Sequence, residues 1–84
     1  MSRRPIVAGN WKMNLTAAEG ADLASELVTI LGADPEGRDV VLCPPFTTLA
    51  AVQSVVEHTA VELGAQNMHN LGSGAFTGEI SPAM

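Results

Sequence analysis

The fold is decided by residues 5–31, which read PIVAGNWKMNLTAAEGADLASELVTIL. Residues 5–9 form a short continuous apolar run, which is typical of a parallel strand buried on both faces. Thr16 and Glu19 then have the spacing of a capping box. Apolar residues follow at i, i+4, i+7 and i+8, namely Leu23, Leu27, Ile30 and Leu31. We therefore predict a buried strand and then an amphipathic helix that ends at Gly32.

The same strand and helix pattern is repeated once along the chain. Residues 39–43 are a second β-branched apolar run, and Thr47 or Thr48 can cap a helix whose apolar residues share one face, namely Leu49, Val52, Val55 and Val56. A third run at 61–65 leads into a polar, glycine-rich stretch at 66–79. This alternation predicts the α/β class, with right-handed βαβ crossovers in a parallel sheet.

The last residues resemble the beginning of a further helix. Ser81 and Pro82 have the residue types preferred at the N-cap and at the first helical position, yet the sequence stops at Met84. Three parallel strands would also leave two sheet edges unpaired and the third strand uncovered. We therefore expect these 84 residues to be a fragment of a larger α/β protein.

Composition excludes several classes of partner and location. The net charge is −5, with only four Lys and Arg residues, so a nucleic-acid partner is not expected. No apolar run approaches the 18 or so residues of a membrane span, so neither a membrane protein nor a secreted one is expected. Cys43 is the single cysteine. It is expected to be a core residue in a reducing compartment, which favours the cytosol.

Candidate chemistry lies where each strand ends, because ligands of parallel α/β folds bind at the carboxyl ends of the strands. Lys12, the only lysine, follows the first strand by a few residues. It is either a cation that attracts an anionic substrate and stabilises developing negative charge, or a solvated loop lysine. Asn10 is either an amide that orients this lysine or a substrate oxygen, or a strand-end turn residue.

Other polar motifs give weaker signals. Gly72, Gly74 and Gly78 come within one residue of a dinucleotide fingerprint, but a glycine-rich turn is missing after the first strand, so a nucleotide-binding module is disfavoured. We expect instead a long loop that packs against something else. His58 and His69 have no second ligand at metal-binding spacing and are expected to be solvated or capping residues, so no metal site is predicted.

Four motifs together resemble one family. In chain order they are AGNWKMN at 8–14, CPPF at 43–46, GAQN at 64–67 and GAFTGEISP at 74–82. They closely resemble the opening third of the triosephosphate isomerase family, and the resemblance spans residues 5–84. It implies a TIM (β/α)₈ barrel of about 250 residues. Residues 1–84 would then be the N-terminal fragment of that single domain, containing its first three β/α units.

The resemblance also implies an activity. The family interconverts dihydroxyacetone phosphate and glyceraldehyde 3-phosphate through an enediolate in glycolysis and gluconeogenesis, in the cytoplasm and without a cofactor. Lys12 resembles its catalytic, phosphate-binding lysine, and Asn10 its substrate-contacting asparagine. The family's glutamate base and histidine electrophile belong to segments beyond Met84, so the 84 residues alone are expected to be inactive. The alternative is a non-catalytic fragment that associates with complementary or identical chains.

The glycine-rich loop resembles the segment through which the family forms homodimers. The resemblance implies that loop 72–79 enters a neighbouring subunit, where Thr77 reaches the partner's Asn10 and Lys12. Residues implied at this interface are Met13, Phe76, Thr77 and Glu79. Gly74 and Gly78 are expected to permit the tight turns at the tip.

Overall fold

The computed structural model describes residues 3–32 and 37–84. It alternates three strands with two helices, in the order β1 (Ile6–Asn10), α1 (Ala17–Leu31), β2 (Asp39–Cys43), α2 (Leu49–Val56) and β3 (Glu62–Leu63). All strand pairs are parallel, and the sheet order is β1-β2-β3. The predicted α/β class is therefore confirmed. No helix in these two ranges is long and apolar enough to cross a membrane.

Helix α1 begins and ends as predicted. The Glu19 backbone N–H donates to the Thr16 hydroxyl at 3.3 Å, and the Glu19 carboxylate accepts from the Thr16 backbone N–H at 2.9 Å. The hydrogen bond from the Thr16 backbone N–H to the Glu19 carboxylate, with a further one from the Thr16 hydroxyl, lowers the pKa of Glu19 below its ordinary value. Gly32 ends the helix at φ +76°, and its N–H donates to the Val28 carbonyl. The cap and the stop signal are both confirmed.

The core lies on one face of the sheet, beneath the two helices. Its buried members are Ala24, Val40, Leu42, Val52, Val56 and Val61. Burial alternates along β2, because the helices cover one sheet face and leave the other open in the described part of the chain. Ile6 and Val7 in β1 are 67% and 54% exposed. The prediction of a first strand buried on both faces is therefore wrong here, since β1 is an edge strand with one packed neighbour.

The buried face of α1 is centred on two small residues. Gly20 and Ala24 are buried, because α1 packs closely against α2 and the 3₁₀ turn at Phe46–Thr48 that precedes it. Ile30 is 78% exposed, so its predicted place on the core face is wrong. Ile30 lies six positions after Ala24, which places it about 120° around the helix from Ala24.

The start of α2 and the third strand also differ from prediction. Neither Thr47 nor Thr48 caps α2 through its side chain, because Thr48 is fully buried against α1 and its hydroxyl has no partner among the described residues. The third apolar run pairs only over β3, although the Gly64 N–H adds a hydrogen bond to the Leu42 carbonyl at 2.9 Å. At Ser81 the predicted helix start is a turn, in which the Met84 N–H donates to the Ser81 carbonyl.

Gly20 offers a test of the helix contact. A Cβ at this position would overlap the methyl group of Thr48 and lie 3.3 Å from the Trp11 ring. In the full-length protein, Gly20→Ala is expected to lower the free energy of unfolding by about 1–3 kcal/mol, even though alanine is the better helix former by about 1 kcal/mol. Urea unfolding measures this.

Ser25→Ala is the control, because Ser25 is exposed on the same helix and the substitution changes helix propensity without adding a contact. Its effect is expected to stay within about 0.5 kcal/mol. A gain in stability from Gly20→Ala would contradict the close packing of α1 against Thr48.

Candidate site at the carboxyl ends of the strands

The segments that follow the three strands meet at one edge of the sheet. The Trp11 N–H donates to the Cys43 carbonyl at 3.1 Å, so the first two segments are joined immediately beyond the paired residues. Together the segments enclose a cavity of about 200 Å³, lined by Lys12, Met13, Pro45, Phe46, Gln66 and Asn67. We call this the Lys12 cavity. It contains one cation and no carboxylate, which suits an anionic ligand.

Lys12 has an unusual backbone conformation. Its φ is +60°, in the left-handed region that residues with a Cβ rarely occupy. Such conformations cost about 1–3 kcal/mol and cluster at functional sites. The Lys12 N–H donates to the Asn10 side-chain oxygen at 2.9 Å, and the Lys12 carbonyl accepts from the Gln66 side-chain nitrogen at 3.0 Å. Two side-chain amides therefore hold the peptide groups on both sides of Lys12.

Trp11 anchors the same segment to the helix layer. If Gly20 and Gly9 carried a Cβ, the Trp11 ring would lie 3.3 Å from the first and 3.7 Å from the second. The Asn14 side-chain amide donates to the Trp11 carbonyl at 2.7 Å. Both the ring and the backbone of Trp11, the residue before Lys12, are thus held in place.

Sequence reasoning gave Gln66 no role of its own. Its side-chain nitrogen donates to two carbonyls, that of Lys12 at 3.0 Å and that of Cys43 at 2.8 Å. Gln66 therefore connects the segments after all three strands. Lys12 is 54 positions away in sequence, so no local spacing signals this contact. The only available signal was its place directly after the third apolar run.

The 72–79 loop lies apart from the Lys12 cavity and shares no lining residue with it. At its base the His69 N–H donates to the Ile80 carbonyl at 2.8 Å. The His69 and Phe76 rings meet edge to face with centroids 4.0 Å apart, so the prediction of a solvated or capping His69 is wrong. Gly74 and Gly78 have φ of +148° and +82°. A Cβ on Gly74 would come within 2.5 Å of the Phe76 ring.

The predicted site residues therefore fall into two groups. Lys12 and Met13 line the cavity, and Asn10 supports Lys12 from the end of β1. Phe76, Thr77 and Glu79 are exposed on the loop, with Phe76 at 48%. Within residues 3–32 and 37–84, no group of three His, Cys, Asp or Glu side chains is placed to hold a metal ion. His58 is exposed at the end of α2.

Parallel βα units with a candidate site at the carboxyl ends of the strands are the arrangement of α/β proteins of the (β/α)-barrel and doubly wound classes. The sequence model of triosephosphate isomerase matches residues 5–84. The chain belongs to the triosephosphate isomerase family, and its three strands and two helices are the first units of an incomplete TIM barrel.

Individual relatives agree with this assignment. Triosephosphate isomerase of Rhodopirellula baltica is 51% identical over 84 residues, and that of Herpetosiphon aurantiacus is 51% identical over 82 residues. These matches cover 100% and 98% of this chain but 33% and 32% of the relatives. The crystal structure of the Bartonella henselae enzyme superposes with a TM-score of 0.76 at 32% identity, covering 93% of this chain and 31% of that one. The chain thus spans about a third of the length of these relatives.

Proposed function

We propose that the full-length protein containing these residues is a triose-phosphate isomerase of glycolysis and gluconeogenesis. It interconverts dihydroxyacetone phosphate and D-glyceraldehyde 3-phosphate in the cytoplasm, without a cofactor. Residues 1–84 are the N-terminal fragment of its single barrel domain. The observation that carries the proposal is the left-handed Lys12, held at the carboxyl edge of the sheet by Asn10 and Gln66 in a chain of this family.

The chemistry assigned to Lys12 follows from its charge and its place. Its ammonium group binds the phosphate of the triose and stabilises the negative charge that develops on the substrate as a proton leaves carbon. Asn10 contacts the substrate and supports the lysine through its backbone N–H. A backbone fixed before the substrate arrives needs no reorganisation during the reaction. The proton-transferring glutamate and histidine are supplied by later segments of the barrel, as the family implies.

The same proposal includes a homodimer. Met13 is 95% exposed and Phe46 is 57% exposed at the mouth of the Lys12 cavity, and the aromatic Phe76 is half exposed on the 72–79 loop. Met13 and Phe46 line the same cavity, and neighbouring exposed apolar side chains favour a protein contact. In a two-fold dimer each subunit inserts its loop beside the other's cavity, so that Met13, Phe76, Thr77 and Glu79 lie in the interface.

The direct test uses the full-length protein and dihydroxyacetone phosphate in deuterium oxide. Formation of glyceraldehyde 3-phosphate with deuterium at C2 is expected, because an enediolate takes its new proton from a group that exchanges with solvent. Proton NMR detects the product and the label. Absence of interconversion by folded full-length protein would overturn the proposal.

The second candidate, a chain of 84 residues that associates with other chains, is favoured by the exposed Ile6 and Val7 on edge strand β1. A chain limited to these residues is expected not to be a stable monomer, since three strands with one covered face bury too little apolar surface. Sedimentation and thermal circular dichroism test this. A monodisperse 8.7 kDa species with a cooperative transition would contradict it.

A further inference from the structure

Gln66 makes an unusual pair of contacts with its side chain. The carboxamide nitrogen has two hydrogens, and both are used on backbone carbonyls, those of Lys12 and Cys43. The Cys43 carbonyl also accepts from the Trp11 N–H. One nitrogen at the end of the third strand therefore fixes the segments that follow the first and second strands.

These contacts control a backbone conformation that Lys12 would not adopt by preference. Asn10 holds the N–H on one side of the Lys12 Cα, and Gln66 holds the carbonyl on the other side. Both backbone rotations of Lys12 are therefore restrained by side chains. Without the Gln66 amide, the carbonyl of Lys12 loses a donor and the residue is free to relax toward negative φ. Such a rotation redirects the Cα–Cβ bond and moves the ammonium group.

We propose that Gln66 is a positioning residue for Lys12, whose carboxamide holds the lysine backbone in the orientation that presents its charge to the phosphate of the substrate. The inference rests on the proposed function, which supplies the phosphate ligand. Gln66 itself is not assigned a contact with the reacting atoms, so its effect on the reaction is transmitted through Lys12.

The test uses Gln66→Met in the full-length protein, which keeps the side-chain length and removes both donors. We expect kcat/KM to fall about 10- to 100-fold, as for a displaced catalytic group. We also expect the Kd for inorganic phosphate, measured by ³¹P NMR titration, to rise about tenfold. Gln53→Met is the matched control, because Gln53 lies exposed on α2, and it should leave both values unchanged.

A double-mutant cycle separates positioning from general stabilisation. In the Lys12→Met background, Gln66→Met is expected to change the phosphate Kd by less than about twofold, since the charge it positions is gone. A purely structural role would give the same loss in both backgrounds. If Gln66→Met does not fold, Gln66→Asn replaces it in the cycle, because its shorter amide cannot reach both carbonyls and should show a smaller loss of the same kind.

The outcomes distinguish this inference from the proposed function. Folded Gln66→Met with wild-type phosphate affinity and kcat/KM, or with equal losses in both backgrounds, would overturn the positioning role while leaving the isomerase intact. A wild-type protein whose phosphate affinity depends on Lys12 and, through Lys12, on Gln66, but which turns over no triose phosphate, would overturn the isomerase and retain the positioning role. A wild type that binds no phosphate would overturn both.

Discussion

Lys12→Met in the full-length protein is expected to lower kcat/KM by about 1000-fold or more, with the fold retained. The substitution removes the only lysine in residues 1–84 and the single cation of the Lys12 cavity. Loss of one group that stabilises developing charge costs about 100- to 1000-fold in kcat, and loss of the phosphate contact adds an effect on KM. Methionine has a similar length and no charge, so the packing of the segment is little changed.

Two further variants test whether the loss of activity is due to the charge of Lys12. Lys12→Arg keeps the charge and is expected to retain more activity than Lys12→Met, although its planar guanidinium places that charge differently. Arg4→Met is the control, because Arg4 forms an exposed ion pair with Asp39 at 3.1 Å, worth no more than about 1 kcal/mol. Near-normal turnover by Lys12→Met would show that Lys12 is an ordinary solvated lysine.

Thr77→Arg is expected to weaken the dimer and the activity together. Thr77 is exposed on the 72–79 loop, and the proposed dimer places it beside the partner's Lys12. An arginine there would bring a second cation into a buried contact, which costs about 3–5 kcal/mol for an unpaired charge. Sedimentation velocity and turnover, measured on the same sample at nanomolar concentration, should therefore show dissociation and loss of rate in parallel.

Thr29→Arg is the matched control for this experiment. Thr29 lies on the exposed side of α1, and its hydroxyl donates only to the Ser25 carbonyl of its own helix. The control should remain dimeric and active. If Thr77→Arg also remains dimeric and keeps its rate, the loop does not cross between subunits.

The features that depend on local interactions, such as the ends of helices and strands, were predictable from local sequence signals. The ends of α1 were predictable because Thr16, Glu19 and Gly32 act within one turn of the helix. The bounds of β2 were likewise predictable from one β-branched run. The burial of individual side chains was not predictable, because it depends on which surfaces pack against each other in the fold. Ile30 is as apolar as Leu31, yet only Leu31 packs against the core.

The candidate site was predicted by residue type and position but not by conformation. The place of Lys12 after a parallel strand indicated a ligand-facing cation, whereas its positive φ has no sequence signal, since no glycine marks the position. Thr48 had the residue type of a helix cap, but packing against Gly20 took its side chain into the core. Gln66 acts across 54 positions, a separation at which spacing patterns carry no information.

The hydrogen bond between His69 and Ile80 at the base of the loop has an evolutionary consequence. Residues 70–79 leave and rejoin the body of the protein at neighbouring points, so their length and composition can change without shifting the pairing of the strands. Doubling the length of such a segment costs only about 0.6 kcal/mol in closure entropy. Mutation can therefore change the length of this loop while Asn10, Lys12 and Gln66 keep their positions within the subunit.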